Sequence, residues 1–458
     1  MRPLSHRSAP PRPGARLAVA IEDLTSEGAG VARHDGWVFF VPGAVPGDRA
    51  EVCVGRVRRG VVEATLLALP GPSPERVEPP CPFQPACGGC PLMVLAVDAQ
   101  RALKVRHLEE TLRRIGGLAS PQVSRAVASP GALRYRGRVR FAVASRADGP
   151  AIGFHPRGVG GAIVAVDDCR LAPEEASRLA RGLLARLDEL SPPGGYWPLQ
   201  LEARGSLAAG EWLLVAFGRP GSAPALARAA RELVEAEPQL AGIVRVEGVP
   251  GDGGRETLLA GRDELVERIG GAELELGATT FLQVNPSAAA ALYGTVREML
   301  APAAGPPAGR LLDLFCGVGS IGLLGVDAEC EVLGVESHPA TVERARRSAR
   351  RAGRGRTEFR VGDATAVALE LARAGERFDA VTANPPRAGL GPDLPLAIAA
   401  LAARCVVLVS CHPATLARDL RAFAAAGFEA AEIAAVDLFP QTPHLEALVR
   451  LVPRGGAA

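Results

Sequence analysis

The chain has 458 residues, 48% of them apolar, and a formal net charge of only +2. That length predicts two or three domains with sizeable cores, and so small a charge excludes a whole-molecule basic field as the means of holding a polyanion. No apolar run reaches membrane-spanning length and no secretion signal is legible, which predicts a cytoplasmic chain whose nine cysteines serve metal or thiol chemistry rather than disulfides.

The opening 1–15 is basic and proline-rich and reads as a disordered tail. Residues 16–72 read as four or five short strands punctuated by Gly28, Gly30, Gly36, Pro42-Gly43 and Pro46-Gly47, a pattern that fits a small OB-like barrel. The segment GPSPERVEPPCPFQPACGGCPL (71–92) holds too many prolines and glycines for helix or strand, so it needs an organiser other than a core. Cys81, Cys87 and Cys90 space as C-x5-C-x2-C, and Cys169 is the candidate fourth thiol. Zinc and an iron–sulfur cluster both accept four thiolates, and the residues leave that choice open. Residues 93–117 have helical apolar spacing and end at Gly116-Gly117.

Residues 126–275 alternate apolar and polar, with helices near Pro173–Leu190 and Pro224–Glu235, each opened by proline. They predict an α+β domain with an antiparallel sheet. Arg134, Arg136, Arg138 and Arg140 alternate, which places them on one strand face as a candidate phosphate track. Lys104 is the only lysine among the 52 Lys and Arg, so phosphate contacts would be forked and planar. From 277 onward strands and Ala/Arg-rich helices alternate, predicting a doubly wound α/β domain; the arginine-rich run at 343–356 reads as a solvated helix face.

Four features fall at the carboxyl ends of successive strands of that domain, where open α/β sheets bind ligands. DLFCGVGS (313–320) is a glycine loop opening a helix, Glu336 suits the ribose hydroxyls of a nucleoside cofactor, Asp363 suits an adenine amino group, and Asn384 begins the rigid turn Asn384-Pro385-Pro386-Arg387. Cys411 follows the strand CVVLVS and precedes a helix, a setting that favours the thiolate. Such a thiolate can add to carbon 6 of a pyrimidine and turn carbon 5 into a nucleophile for methyl transfer. That chemistry also needs a proton acceptor. Glu446 and His444 are the candidates in DLFPQTPHLEALVRL, with Glu446 preferred and His412 weaker.

Taken together, the glycine loop, NPPR, SCHPAT and the cysteine cluster resemble the RNA 5-methyluridine methyltransferases, over about Leu17–Val452. The likeness is greatest to the branch that acts on 23S ribosomal RNA and carries both an N-terminal TRAM barrel and a [4Fe-4S] cluster. DLTSEGAGVARHDGWVFFVPGAVPGD is TRAM-like. The resemblance implies a multidomain protein: barrel at 16–72, a central α+β domain with the iron–sulfur loop at 73–92 and 126–276, and a class I S-adenosylmethionine (SAM) methyltransferase domain at 93–125 and 277–458. It implies Cys81, Cys87, Cys90 and Cys169 as cluster ligands. It implies Gln283 of FLQVNP, Phe315, Ser320, Glu336, Asp363 and Asn384 as contacts to SAM, Cys411 as nucleophile and Glu446 as base. RNA is the implied partner of a monomer. Two positions depart from the family pattern, which has aspartate for Asn384 and asparagine for His412. The competing readings are an RNA-binding or assembly factor whose catalysis is impaired, and an RNA cytosine-5 methyltransferase; the latter is disfavoured because NPPR carries no second cysteine.

Overall fold

The structure, a computed structural model, describes residues 9–146, 149–157, 162–190, 198–221, 223–248, 254–301 and 309–455. Residues 1–8 of the expected tail lie outside them. The chain divides into two compact units. The first is Met1–Lys104, Gly153–Val166 and Phe439–His444; the second is Val105–Ile152, Asp167–Leu438 and Leu445–Ala458.

In the first unit, β1 (Arg16–Leu24), β2 (Ala29–His34), β3 (Trp37–Pro42), β4 (Arg49–Arg58) and β5 (Val61–Gly71) close into a barrel in the order β1-β2-β3-β5-β4. Inward-facing Val19, Ile21, Phe39, Val41, Val52 and Val62 fill it. Between β3 and β4 the buried Asp48 accepts from the amides of Val45 (2.7 Å) and Ser73 (2.8 Å) and from Arg76 Nε (2.8 Å). Burial alone would raise its pKa, but Arg76 and the two amides outweigh that and hold it below the ordinary value. Asp48 thereby ties the barrel to the start of the cysteine segment.

That segment reaches a core only at its last residue. Leu92, Val94 and Leu95 bury together with Leu24, Val45 and Leu103. Because 93–96 fold into this cluster, helix α1 (Val97–Arg114) starts later than the apolar spacing predicts. Within the same unit Gln100 of α1 donates through Nε2 to Gln441 Oε1 (2.9 Å), while its Oε1 accepts from the Gln441 amide (2.8 Å). Lys104 Nζ donates to the Phe439 carbonyl (3.1 Å).

The second unit holds two large sheets. After β6 (Arg125–Val127), β7 (Arg138–Arg146) and β8 (Gly149–Phe154) form one edge of the central sheet, and β9 (Val164–Ala165) pairs with the end of β8. α2 (Glu174–Leu190), β10 (Gln200–Ser206), β11 (Glu211–Gly218), α3 (Pro224–Ala236), β12 (Leu240–Glu247) and β13 (Glu256–Gly261) follow, giving the order β13-β12-β11-β10-β7-β8. The sheet is mixed rather than antiparallel, because β11 and β12 run parallel with α3 as their crossover. β14 (Glu264–Ile269) and β15 (Ala272–Gly277) make a separate hairpin.

The four alternating arginines do not share a strand face. Arg134 stands before β7 with φ of +55° and forks onto Asp168 (2.6 and 2.5 Å). Arg138, Arg140 and Arg204 surround the fully buried carboxylate of Glu202 at 2.9, 2.7 and 2.6 Å. Burial would raise the Glu202 pKa, yet Arg204 first and then Arg138 and Arg140 pull it down to about 2. Glu202 thus consumes much of the expected phosphate track.

Helix α4 (Pro286–Leu300) leads into the second sheet: β16 (Arg310–Leu314), α5 (Ser320–Leu324), β17 (Glu331–Glu336), α6 (Pro339–Arg351), β18 (Thr357–Val361), α7 (Ala364–Arg373), β19 (Phe378–Ala383), α8 (Leu394–Leu401), β20 (Ala402–Ser410), α9 (Pro413–Ala425), β21 (Phe428–Val436) and β22 (Glu446–Pro453). The strand order is β18-β17-β16-β19-β20-β22-β21-β6. β16 to β20 are parallel, and β22 runs antiparallel between β20 and β21. Leu312, Leu314, Val381, Val406, Leu408 and Val449 form the sheet's core, joined by Leu108 and Leu112 of α1. The run at 343–356 is not simply solvated: Arg344 (3.0 Å), Arg347 (2.8 Å) and Arg351 (3.5 Å) converge on buried Glu275 of β15.

Candidate active site

Strand register sets the centre of the site. β20 and β22 pair antiparallel with Val409 opposite Leu448 and Ser410 opposite Ala447. The next step of that register brings Cys411, as β20 ends, to Glu446, as β22 begins. Glu446 is buried, and its Oε2 has no hydrogen-bond partner among the described residues. Burial alone raises its pKa to about 8. Cys411 is half-buried, and burial followed by the Glu446 charge raises its pKa. Opposing them is Arg387, the last residue of NPPR, whose side chain is hydrogen-bonded to the thiol. Arg387 is a partner the sequence reading missed; NPPR read only as a rigid wall.

His412 caps α9 through Nδ1, which accepts from the Thr415 amide (3.3 Å). That cap is work an asparagine side chain also does, so the histidine departure keeps the local geometry. Thr415 Oγ1 further donates to the Arg387 carbonyl (3.2 Å), tying the α9 start to NPPR. His444 belongs to the first unit, where its ring meets Phe439 edge-on.

The glycine loop lies at the end of β16. Phe315, Gly317 and Gly319 all have positive φ (+58°, +56° and +85°), a conformation that a non-glycine such as Phe315 adopts only under surrounding constraint. A Cβ on Gly319 would lie 2.5 Å from the Phe359 ring. Beneath the loop, buried Asp313 accepts from Thr382 Oγ1 (2.8 Å) and the Gly322 amide (3.2 Å). Burial outweighs those bonds and raises its pKa to about 7. Glu336 ends β17, accepting from the amides of Gly317 (3.3 Å) and His338 (3.0 Å). Asp363 caps α7 through the Ala366 amide (2.9 Å), and the Asn384 amide reaches the Leu314 carbonyl (3.4 Å). Gln283 is buried in the loop before α4, and the Phe281 carbonyl of that loop lies 3.7 Å from where a Gly317 Cβ would be. Phe315 and Ser320 thus follow β16, Glu336 ends β17, Asp363 follows β18, Asn384 follows β19 and Cys411 follows β20, all at the carboxyl ends of parallel strands, with Gln283 in the loop before α4. A positive-φ glycine loop, a carboxylate at the next strand end and a thiol after β20 stand where open α/β sheets bind nucleoside ligands.

Two cavities lie elsewhere. One of about 930 Å3 is lined by residues 116–124 and β21, another of about 390 Å3 by β14 and its neighbours. Neither is lined by a cysteine.

In the first unit, Cys81, Cys87 and Cys90 share a neighbourhood. Burial raises the Cys87 thiol pKa, and Cys81 raises it further. Arg157 senses both Cys87 and Cys90, and donates to Gln84 (2.9 Å), whose Nε2 donates to the Cys90 carbonyl (2.6 Å). Among the described residues no three ligating side chains are gathered closely enough to hold a metal ion. In the second unit the Cys169 amide donates to Ser177 Oγ (3.0 Å) and its carbonyl accepts from Arg134 (3.2 Å).

The fold and the strand-end site define a SAM-dependent methyltransferase. Residues 307–418 match a family described as a methyltransferase domain, and residues 11–67 match the TRAM domain. A protein of Halalkalibacterium halodurans described as an uncharacterized RNA methyltransferase is 32% identical, covering 98% of this chain and 99% of its own. A Gloeobacter violaceus protein of the same description is 34% identical, covering 96% of this chain and 98% of its own. The crystal structure of Pyrococcus abyssi tRNA (uracil-54, C5)-methyltransferase in complex with S-adenosyl-L-homocysteine superposes with a TM-score of 0.73 at 25% identity, covering 95% of this chain and 100% of that one. The chain belongs to the RNA methyltransferase family. No helix among the described residues is long and apolar enough to cross a membrane.

The buried carboxyl makes stability depend on pH. With a folded pKa of about 8 against an ordinary 4.5, Glu446 binds a proton in the folded chain that the unfolded chain has lost across that interval. Stability from this group therefore falls as pH rises from about 4.5 to about 8. Glu446→Gln removes this dependence. Its thermal midpoint should exceed the parent's by roughly 5 °C above pH 8 and converge with it below pH 4.5, read by circular dichroism.

Proposed function

We propose that this enzyme transfers a methyl group from SAM to carbon 5 of a uridine in RNA, through a covalent adduct between Cys411 and carbon 6. The observation that carries the reading is the thiol of Cys411 set against the buried carboxyl of Glu446, one oxygen of which has no hydrogen-bond partner among the described residues, at the carboxyl edge of the sheet. The uracil-C5 activity of the Pyrococcus abyssi relative supports it.

SAM supplies the electrophilic methyl group. The Cys411 sulfur adds to carbon 6, and the ring's electrons make carbon 5 nucleophilic. Carbon 5 takes the methyl group as the sulfur–methyl bond of SAM breaks, and the bond's electron pair leaves on the sulfur of S-adenosylhomocysteine. The Glu446 carboxylate accepts the proton that carbon 5 still carries, and the electron pair left behind expels the Cys411 sulfur. Arg387, bonded to that sulfur, favours its anionic form on both entry and departure. Gln283, Phe315, Ser320, Glu336, Asp363 and Asn384 hold the donor, and Asn384 does so with a neutral side chain. The target base has to leave its stack to reach Cys411. We take 23S ribosomal RNA as the first substrate to test, with transfer RNA as the comparison.

We also propose that Cys81, Cys87, Cys90 and Cys169 hold a [4Fe-4S] cluster. The chemistry of the donor set alone, four thiols, supports this, as no three ligating side chains are gathered among the described residues.

With transcripts of either RNA carrying tritium at uracil carbon 5, tritium release should match methyl incorporation one for one. Cys411→Ser should lose both, and Glu446→Gln should lower the rate by about 10²–10⁴. Because thiol and carboxyl both start protonated, the parent rate should climb with pH toward about 8. Methyl incorporation without tritium release would place the methyl group on another atom. Purified anaerobically, the protein should be brown and contain iron and sulfide, whereas colourless protein with stoichiometric zinc would overturn the cluster assignment.

A further inference from the structure

α9 begins two residues after Cys411, and on its first two turns Thr415, Arg418 and Asp419 stand three and four residues apart, on one side of the helix. All three reach the stretch that follows NPPR. Thr415 Oγ1 donates to the Arg387 carbonyl (3.2 Å), Arg418 Nη2 donates to the Ala388 carbonyl (2.7 Å), and the Leu390 amide donates to Asp419 Oδ2 (2.9 Å). Arg418 also donates through Nε and Nη2 to Asp419 Oδ1 (3.2 and 3.0 Å). The Asp419 side chain is buried, while that of Arg418 is half exposed.

Gly389 makes the approach possible. Its amide closes a turn onto the Pro386 carbonyl (2.9 Å), and its φ is +79°. A Cβ there would lie 2.5 Å from Asp419 Oδ2, 2.6 Å from Arg418 Nη2 and 3.1 Å from Thr415 Cβ. Bare backbone therefore presses on three helix side chains at once. α9 is already capped by His412, so these bonds do something other than start the helix. They join 387–390 to the helix that Cys411 leads into.

We infer that Asp419 is a positioning residue for methyl transfer: with Arg418 and Gly389 it latches the NPPR turn to α9 and so sets where the thiol of Cys411 stands against that turn. This rests on the reading above, in which Cys411 attacks the uracil ring.

Full-length Asp419→Ala should transfer methyl in a single turnover about ten- to a hundredfold more slowly, the upper figure being the scale of a misplacement of about 1 Å. Its Kd values for S-adenosylhomocysteine and for RNA should not change. Asp419→Asn keeps an oxygen for the Leu390 amide and should recover most of the lost rate. Gly389→Ala drives a methyl group at Asp419 from the loop side and should slow transfer likewise. Combined with Asp419→Ala it should lose less than the product of the two, because both open one latch. If Asp419→Ala fails to fold, Arg418→Ala, at a half-exposed side chain, breaks the Ala388 bond and takes its place. A folded variant that keeps the parent's rate, an Asp419→Asn no faster than Asp419→Ala, losses that multiply in the double variant, or a loss confined to affinity would overturn the inference. A parent protein that releases no tritium from uracil carbon 5, or a Cys411→Ser variant that still transfers methyl, would instead strike the reading beneath it.

Discussion

Everything at the site depends on the antiparallel pairing of β20 with β22. That pairing puts the residue after Ser410 beside the residue before Ala447, so a thiol and a carboxyl meet at the carboxyl edge of an otherwise parallel sheet. A slip of one residue would turn one of the two side chains to the opposite face from the other. β21 guards the register from the far side, with Val436 opposite Glu446. The cost of the arrangement is a carboxyl buried with an orphaned oxygen, an expense tolerated in proteins chiefly at functional sites.

The rest of the second unit is stiff in a way that suits such a site. Glu202 and Glu275 are each buried and each ringed by three arginines. Breaking a buried pair strands a charge in low dielectric, so these nodes resist local rearrangement even where their net contribution to stability is small. Guanidinium forks suit them because one planar group can span both carboxylate oxygens. The glycine loop is strained at Phe315 and braced below by Asp313 and Thr382, so its shape is fixed by the surrounding fold.

Much of this was legible in the residues because strand-end chemistry is local. Glu336, Asp363, Asn384 and Cys411 each follow an apolar run, and the strands LLDLF, EVLGVE, TEFRVGD, FDAVTA, CVVLVS and ALVRLV all form. β21 was not legible, since FEAAEIAAV is rich in alanine and glutamate, residues that favour helix in isolation. Arg387 was missed because its partner, Cys411, lies far off in sequence and no local pattern announces it. The arginine row misled because alternation reports which side chains share a face and says nothing of a buried glutamate on the neighbouring strand. The tie between Gln100 and Gln441 was hidden for the same reason: glutamine carries no periodic signal.

The central claim is that the Cys411 sulfur bonds to the pyrimidine ring. The most direct measurement is the mass of the protein after incubation with SAM and RNA carrying 5-fluorouridine, whose fluorine the base cannot remove. The account predicts a complex that survives denaturation, with the methylated fluoronucleotide on the peptide that contains Cys411. Turnover of ordinary RNA with no trapped complex, or an adduct on a different residue, would contradict it.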